Sequence, residues 1–167
     1  MVCRSLFIKK IILCFVLAFN AYSLEKIGTG LLTFTIFSFE IYELDLYTDK
    51  KIKNFKELKD VDSYKMVFKF KKDIDKKHLK TAWSESKDVF PAKGEGTFFK
   101  TLEETQPDMK DGDQIVINAK GKDVEFVFPG KKVKFSDLEF KKHVPWIWLG
   151  DNEVGEELSP QIFKTES

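Results

Sequence analysis

Beyond its fourth residue the chain has no arginine, and beyond its fourteenth no cysteine. The stretch that holds Cys3, Arg4 and Cys14 itself reads as a secretory signal. Arg4, Lys9 and Lys10 form a positive start, Ile11 to Phe19 an apolar middle, and Ala21-Tyr22-Ser23 a small-x-small cleavage site. That apolar run falls well short of the roughly 20 residues of a membrane span. Leu13, before Cys14, is not the small residue of a lipoprotein signal. Cleavage after Ser23 is therefore expected, leaving 144 residues, Leu24 to Ser167, without a thiol or a guanidinium. A disulfide scaffold is excluded, and so is the planar fork that holds carboxylates and phosphates in two bonds.

Other shortages narrow the field further. No second apolar run of spanning length follows, so a soluble periplasmic or secreted protein is expected, with no membrane span after cleavage. No charge of one sign dominates: 25 lysines face 27 carboxylates after Ser23, a balance unlike that of nucleic-acid or anionic-membrane binders. The only histidines, His78 and His143, have no partner at metal-ligand spacing, so no metal is expected. No phosphate-cradling glycine loop or nucleophile elbow is present, and no cofactor is expected. Asp111 and Asp113 flank Gly112 and read as turn formers rather than as a catalytic pair.

Phenylalanine, by contrast, is abundant, with 17 in the chain, mostly alternating with polar residues. Leu32 and Phe34 alternate with threonines; then the phase slips to Phe37, Phe39 and Ile41, which implies a hairpin or a bulge near Ile36. Tyr42, Leu44 and Leu46 continue the second strand to Thr48, and Tyr64, Met66, Phe68 and Phe70 make a third with one wet face. Leu79, Ala82, Trp83 and Ser86 then follow helical spacing from about Asp75, which puts Trp83 on the buried stripe. Pro91 and Gly94-Glu95-Gly96 break that helix, and a second, with Phe98, Phe99 and Leu102, must stop near Pro107. Gln114 to Ala119 and Val124 to Phe128 form a hairpin about Lys120-Gly121-Lys122, followed by a short strand with Val133 and Phe135. Ser136 and Glu139 have capping-box spacing, predicting a helix from Ser136, disturbed at Pro145 and closed by Gly150. Ser159-Pro160 predicts a last helical turn through Ile162 and Phe163. Strands, then helices, then a hairpin and a helix make one α+β domain over residues 24–167, a large antiparallel sheet with a layer of helices on one face.

Several of these segments, in order, resemble the chalcone isomerase-like superfamily and in particular its exported bacterial branch. They are Gly28-Thr29-Gly30, the strand ending Ile41-Tyr42-Glu43-Leu44-Asp45-Leu46-Tyr47, Ala82-Trp83, Asp111-Gly112-Asp113-Gln114-Ile115, and Asp137-Leu138-Glu139-Phe140 leading to Ile147-Trp148-Leu149-Gly150. The resemblance implies an open-faced sandwich with a ligand cleft between sheet and helices. In true isomerases of this superfamily an arginine with ordered water assists phenolate attack, while a threonine and a tyrosine polarise the ketone. Gly30 to Thr35, where the arginine would stand, contains none, and Tyr42 aligns where the threonine would be. Lys26 is the only nearby lysine and lies before the glycines; a point charge is a poor replacement for the fork.

Phe39, Tyr42, Tyr47, Trp83, Trp146 and Trp148 are the candidate ligand-binding residues, with the alternative that they are ordinary core with satisfied polar edges. Three functions follow. The first is a non-catalytic binder of a small hydrophobic or lipid-like ligand. The second is an intramolecular lyase or isomerase for an aromatic or enone substrate, with Tyr42 or Tyr47 as the acid and a lysine as electrostatic partner. The third is an envelope protein-interaction module with a filled core.

Overall fold

Period-two alternation of bulky and polar residues gives each strand one apolar face, and the sheet is built by matching those faces. The computed structural model describes residues 23–34, 39–90 and 96–164. Six strands pair antiparallel in chain order: β1 (Glu25–Phe34), β2 (Phe39–Thr48), β3 (Ser63–Phe70), β4 (Gln114–Lys120), β5 (Asp123–Phe128) and β6 (Lys131–Ser136). A 3-10 turn, Phe55–Asp60, links β2 to β3. Helices α1 (Lys76–Val89) and α2 (Gly96–Thr105) lie between β3 and β4, and α3 (Leu138–His143), α4 (Trp146–Leu149) and α5 (Glu153–Ile162) follow β6. The expected signal, residues 1–23, lies outside the described residues except for Ser23, and so does the expected hairpin or bulge near Ile36. The described strands β1 and β2 pair antiparallel with a register shift between Leu32 and Thr33.

Register aligns Leu44 with Phe68, Phe68 with Ile115, and Ile117 with Phe126, and all of these side chains are buried. Helices cover this face. Phe98 of α2 packs on Phe135 at 5.0 Å and on Phe140 of α3 at 4.4 Å, and Trp83 of α1 meets Phe126 edge-on at 6.1 Å. Such ring pairs add roughly 1 kcal/mol each beyond their buried area. The other sheet face is polar: the Asp45 carboxylate accepts from Thr29 Oγ1 at 2.6 Å and pairs with Lys26 at 2.7 Å and Lys69 at 3.2 Å.

Helix α5 lies across β1 because glycine lets it. A Cβ on Gly28 would stand 2.1 Å from the Ile162 carbonyl oxygen. Close approach brings Gln161 to the free edge of β1, where its amide accepts from Leu31 N–H at 2.9 Å and donates to Leu31 O at 3.0 Å. Glu157 accepts from Thr33 N–H at 2.8 Å and Thr33 Oγ1 at 2.9 Å. The side chains of one helix thus satisfy a sheet edge that would otherwise be open to another strand.

Three expectations are corrected. Asp137, not Ser136, caps α3, accepting from Phe140 N–H at 2.8 Å; the Ser136 hydroxyl instead donates to Asp123 across the hairpin. Pro145 does more than disturb the helix, since the chain divides there into α3 and α4. The final helix starts at Glu153, not Ser159. Asn152 caps it by accepting from Gly155 N–H at 3.0 Å, and Pro160 sits inside it.

Candidate functional site

The interval between β3 and β4 shapes the site. Ile74 and Met109 exchange backbone hydrogen bonds of 2.8 and 2.9 Å, tying the entry of α1 to the exit of α2. Asp75 makes no side-chain cap, and Asp108 supplies it from the other strand of this bridge by accepting from Lys76 N–H at 2.7 Å. At the end of α2 the Gln106 N–H still closes on Leu102 O at 2.9 Å, and then Pro107 ends the helical pattern. Gln106 is left 1% exposed beneath α1, where its Oε1 accepts from Trp83 Nε1–H. Indole N–H can only donate, so the amide orientation is fixed and Nε2 faces away from Trp83. That Nε2 has no hydrogen-bond partner, one of two such buried side-chain atoms among the described residues.

Between these elements lies an open cavity of about 970 Å³, at the upper end of the range for small-molecule sites. Its sheet wall is Leu32, Ile41, Tyr42, Phe68, Phe70 and Ile115; its helix wall is Leu79, Trp83, Ile147, Trp148 and Val154, with Gln106 at depth. Aromatic contacts run along it: Tyr42 meets Phe68 edge-on at 5.4 Å, Phe68 tilts on Trp148 at 4.7 Å, and Trp148 meets Trp83 at 5.7 Å. Exposed Lys72, Asp73, Asp75, His78, Glu85 and Glu153 form the rim, together with Phe39, 55% exposed, over whose ring Lys72 Nζ stands at 5.4 Å.

Four of the six candidate residues therefore share one cavity: Phe39, Tyr42, Trp83 and Trp148. Tyr47 does not join them. It lies five residues from Tyr42 along β2, on the opposite face, with Lys26 and Lys65 each 5.9 Å from its ring. Trp146 packs edge-on against Phe55 at 5.4 Å, away from the cavity lining. Gln106, Ile74 and the charged rim were not anticipated. Two sequence hints point to Gln106: its helical spacing from Phe99 and Leu102, which puts it on their buried stripe, and the need of a buried tryptophan for an acceptor.

The Tyr42 hydroxyl makes no hydrogen bond among the described residues. Burial pushes its phenol far above the usual value, and the Glu157 carboxylate adds to the rise. Tyr42 thus stays neutral, a donor or acceptor for a bound group. His143 Nδ1 contacts Glu139 O at 2.8 Å on α3 and is remote from the cavity lining. Asp113 accepts from Lys110 N–H at 2.8 Å in the turn that Gly112, with φ +86°, makes possible. Among the described residues no group of His, Cys, Asp and Glu is placed to hold a metal ion, and no helix is long and apolar enough to cross a membrane.

Antiparallel sheet, one-sided helix layer and intervening cleft define an open-faced α+β sandwich with a ligand-sized cavity. The chain belongs to the chalcone isomerase-like family, whose model matches residues 17–163. Among solved structures it is similar to an Arabidopsis thaliana fatty-acid binding protein, with a TM-score of 0.63 and 10% identity over 84% of this chain and 86% of that one. No curated protein matches it.

Proposed function

We propose that this protein is an exported member of the family, of its bacterial branch, that binds a small hydrophobic or lipid-like ligand between sheet and helices without transforming it. The observation that carries the reading is the cavity itself: an aromatic, mostly apolar space of about 970 Å³ that is not filled by the core. The structural neighbour's name, a fatty-acid binding protein, supports the same use of the fold. An interaction module with a filled core has no need of such a space.

Turnover has weaker support. An enolate-forming reaction needs a fixed cation at the developing charge, and among the described residues the single ammonium of the cavity lining, Lys72, stands at the rim over Phe39. Tyr42 is a weak acid where it is, because burial raises its pKa, and Tyr47 lies on the other face of the sheet. The export part of the proposal rests on the pattern of residues 1–23.

Native mass spectrometry of the protein purified from its extracytoplasmic fraction tests both parts. A mass that begins at Leu24 and carries a stoichiometric small adduct, released on denaturation, is the expected result. A chain that retains residues 1–23, or a bare mass together with failure to take up any apolar probe, overturns the corresponding part.

A further inference from the structure

The charges around the cavity do not suit an anionic ligand. Among the described residues the rim carries four carboxylates, Asp73, Asp75, Glu85 and Glu153, against the single ammonium of Lys72. Lys110 offsets Asp73 at 2.9 Å, and three carboxylates still outnumber one cation. Glu157, outside the lining and bonded to Thr33, adds negative potential near Tyr42, and among the described residues no lining residue deeper than the rim is a cation. A carboxylate entering this space would lose its hydration with no counter-charge to replace it, a cost that neutral donors alone do not offset.

Neutral donors are what the walls do offer. Gln106 is 1% exposed, lines the deep end, and carries an Nε2 with two hydrogens and no acceptor. Buried donors left unmatched are rare in folded proteins and ask for a reason. Trp83 prevents relief by an amide flip, which would set two donors against each other. The Tyr42 hydroxyl, on the sheet wall of the same cavity, is likewise free of hydrogen bonds among the described residues.

Resting on the binding function proposed above, we infer that the ligand is a neutral, oxygen-bearing apolar molecule of the ketone, aldehyde, ester or amide class rather than a carboxylate anion. Its carbonyl oxygen accepts from Gln106 Nε2 after a small outward shift of that side chain, and its hydrocarbon part lies along Phe68, Trp148 and Tyr42. The acidic rim repels the ionised acid of equal chain length.

Three probes of equal length separate the terms: dodecan-2-one, dodecanoate at pH 8 and dodecane. Trp83 and Trp148 line the cavity, so intrinsic fluorescence of the purified protein reads their binding. The ketone is expected to bind about tenfold more tightly than either other probe, and Gln106→Leu to bring it down to the level of dodecane. Dodecanoate binding as tightly as the ketone, or Gln106→Leu leaving the order unchanged, overturns the inference while the binding function stands. No binding by any of the three overturns the binding function too. Because Gln106→Leu also removes the Trp83 acceptor, the unsubstituted, nitrogen-15-labelled protein gives a second reading by NMR. The Gln106 side-chain amide protons should move downfield with the ketone and not with dodecane, and amide protons indifferent to the ketone overturn the inference.

Discussion

Replacing Gly28 by alanine tests how α5 is seated. The added methyl would stand 2.1 Å from Ile162 O and 2.9 Å from Ile162 C. Both are backbone atoms near the end of α5, so no rotamer change relieves the clash, and the helix has to lift. Lifting strains the edge bonds of Gln161 to Leu31 and of Glu157 to Thr33. Overpacking alone costs about 1–3 kcal/mol, and each net hydrogen bond weakened adds roughly 1 kcal/mol. The expected loss is about 3 kcal/mol or more, a fall in Tm of roughly 10 °C for a domain of this size. Gly30→Ala is the graded control. Its Cβ meets Leu158 Cδ2 at 3.0 Å, Ile162 Cγ1 at 3.2 Å and Leu158 O at 3.3 Å, so its backbone contact is far looser than that at Gly28 and its nearest neighbour is a flexible side-chain end, and its cost should be clearly smaller. Urea unfolding followed by far-ultraviolet circular dichroism measures both. A Gly28→Ala loss below about 1 kcal/mol, or a larger loss for Gly30→Ala, would refute the argument that backbone contact at Gly28 seats the helix.

Gln161→Ala leaves Leu31 N–H and O at an open strand edge, so a loss of about 1–2 kcal/mol in urea unfolding and concentration-dependent association in light scattering are expected; an unaltered monomer of full stability counts against edge protection. Burial raises the Asp45 carboxyl, but hydrogen bonds from Lys26, Thr29 and Lys69 outweigh it and hold the pKa below the usual carboxylate value. The stability this contributes is present above about pH 4 and fades as pH falls through the lowered folded value, so Asp45→Asn should flatten acid unfolding below pH 4, and an acid limb as steep as before refutes the assignment. Lys141 is 2% exposed, with its ammonium donating to Val61 O, and desolvation lowers its pKa despite Asp62 and Asp49 nearby. The unfolded chain holds that proton more tightly, so stability should climb with pH from the folded value toward about 10.4; Lys141→Met should remove that climb in pH-dependent urea unfolding, and a climb of the same slope in the variant refutes it.

The strands were legible because their signal is local. Tyr64, Met66, Phe68 and Phe70 alternate without a break, and β3 runs from Ser63 to Phe70. Helix ends were less so, since capping is decided by which of several adjacent polar side chains reaches a free N–H. Ser136 has the spacing of a cap, yet β6 continues through it and its hydroxyl is drawn to Asp123, leaving the cap to Asp137. Pro160 reads as a helix start because its missing N–H costs nothing in a first turn. It lies instead within α5, where Asn152 and two glycines that resemble a loop, Gly150 and Gly155, precede it. A Cβ on Gly155 would lie 1.9 Å from Gly150 O, so those glycines serve close packing at the start of a helix.

The site shows the same division between local and long-range information. Tyr42 and Tyr47 are an odd number of residues apart on one strand, so a period of two already forbids them a common face. Grouping aromatics by type concealed what parity states, and the structure puts Tyr42 at the cavity and Tyr47 between Lys26 and Lys65. Gln106 is different in kind. It follows Phe99 and Leu102 at helical spacing, on the buried stripe of α2, but a polar residue there does not read as core, and what it meets is set with the help of the Ile74–Met109 bridge, which brings together residues 35 positions apart in sequence. That bridge, together with the packing of Trp83 on Phe99 of α2, sets the Gln106 amide against Trp83, and its second nitrogen is left unmatched. The apolar walls of the cavity follow from alternation, whereas its polar selectivity comes from a contact between distant segments that no local pattern encodes.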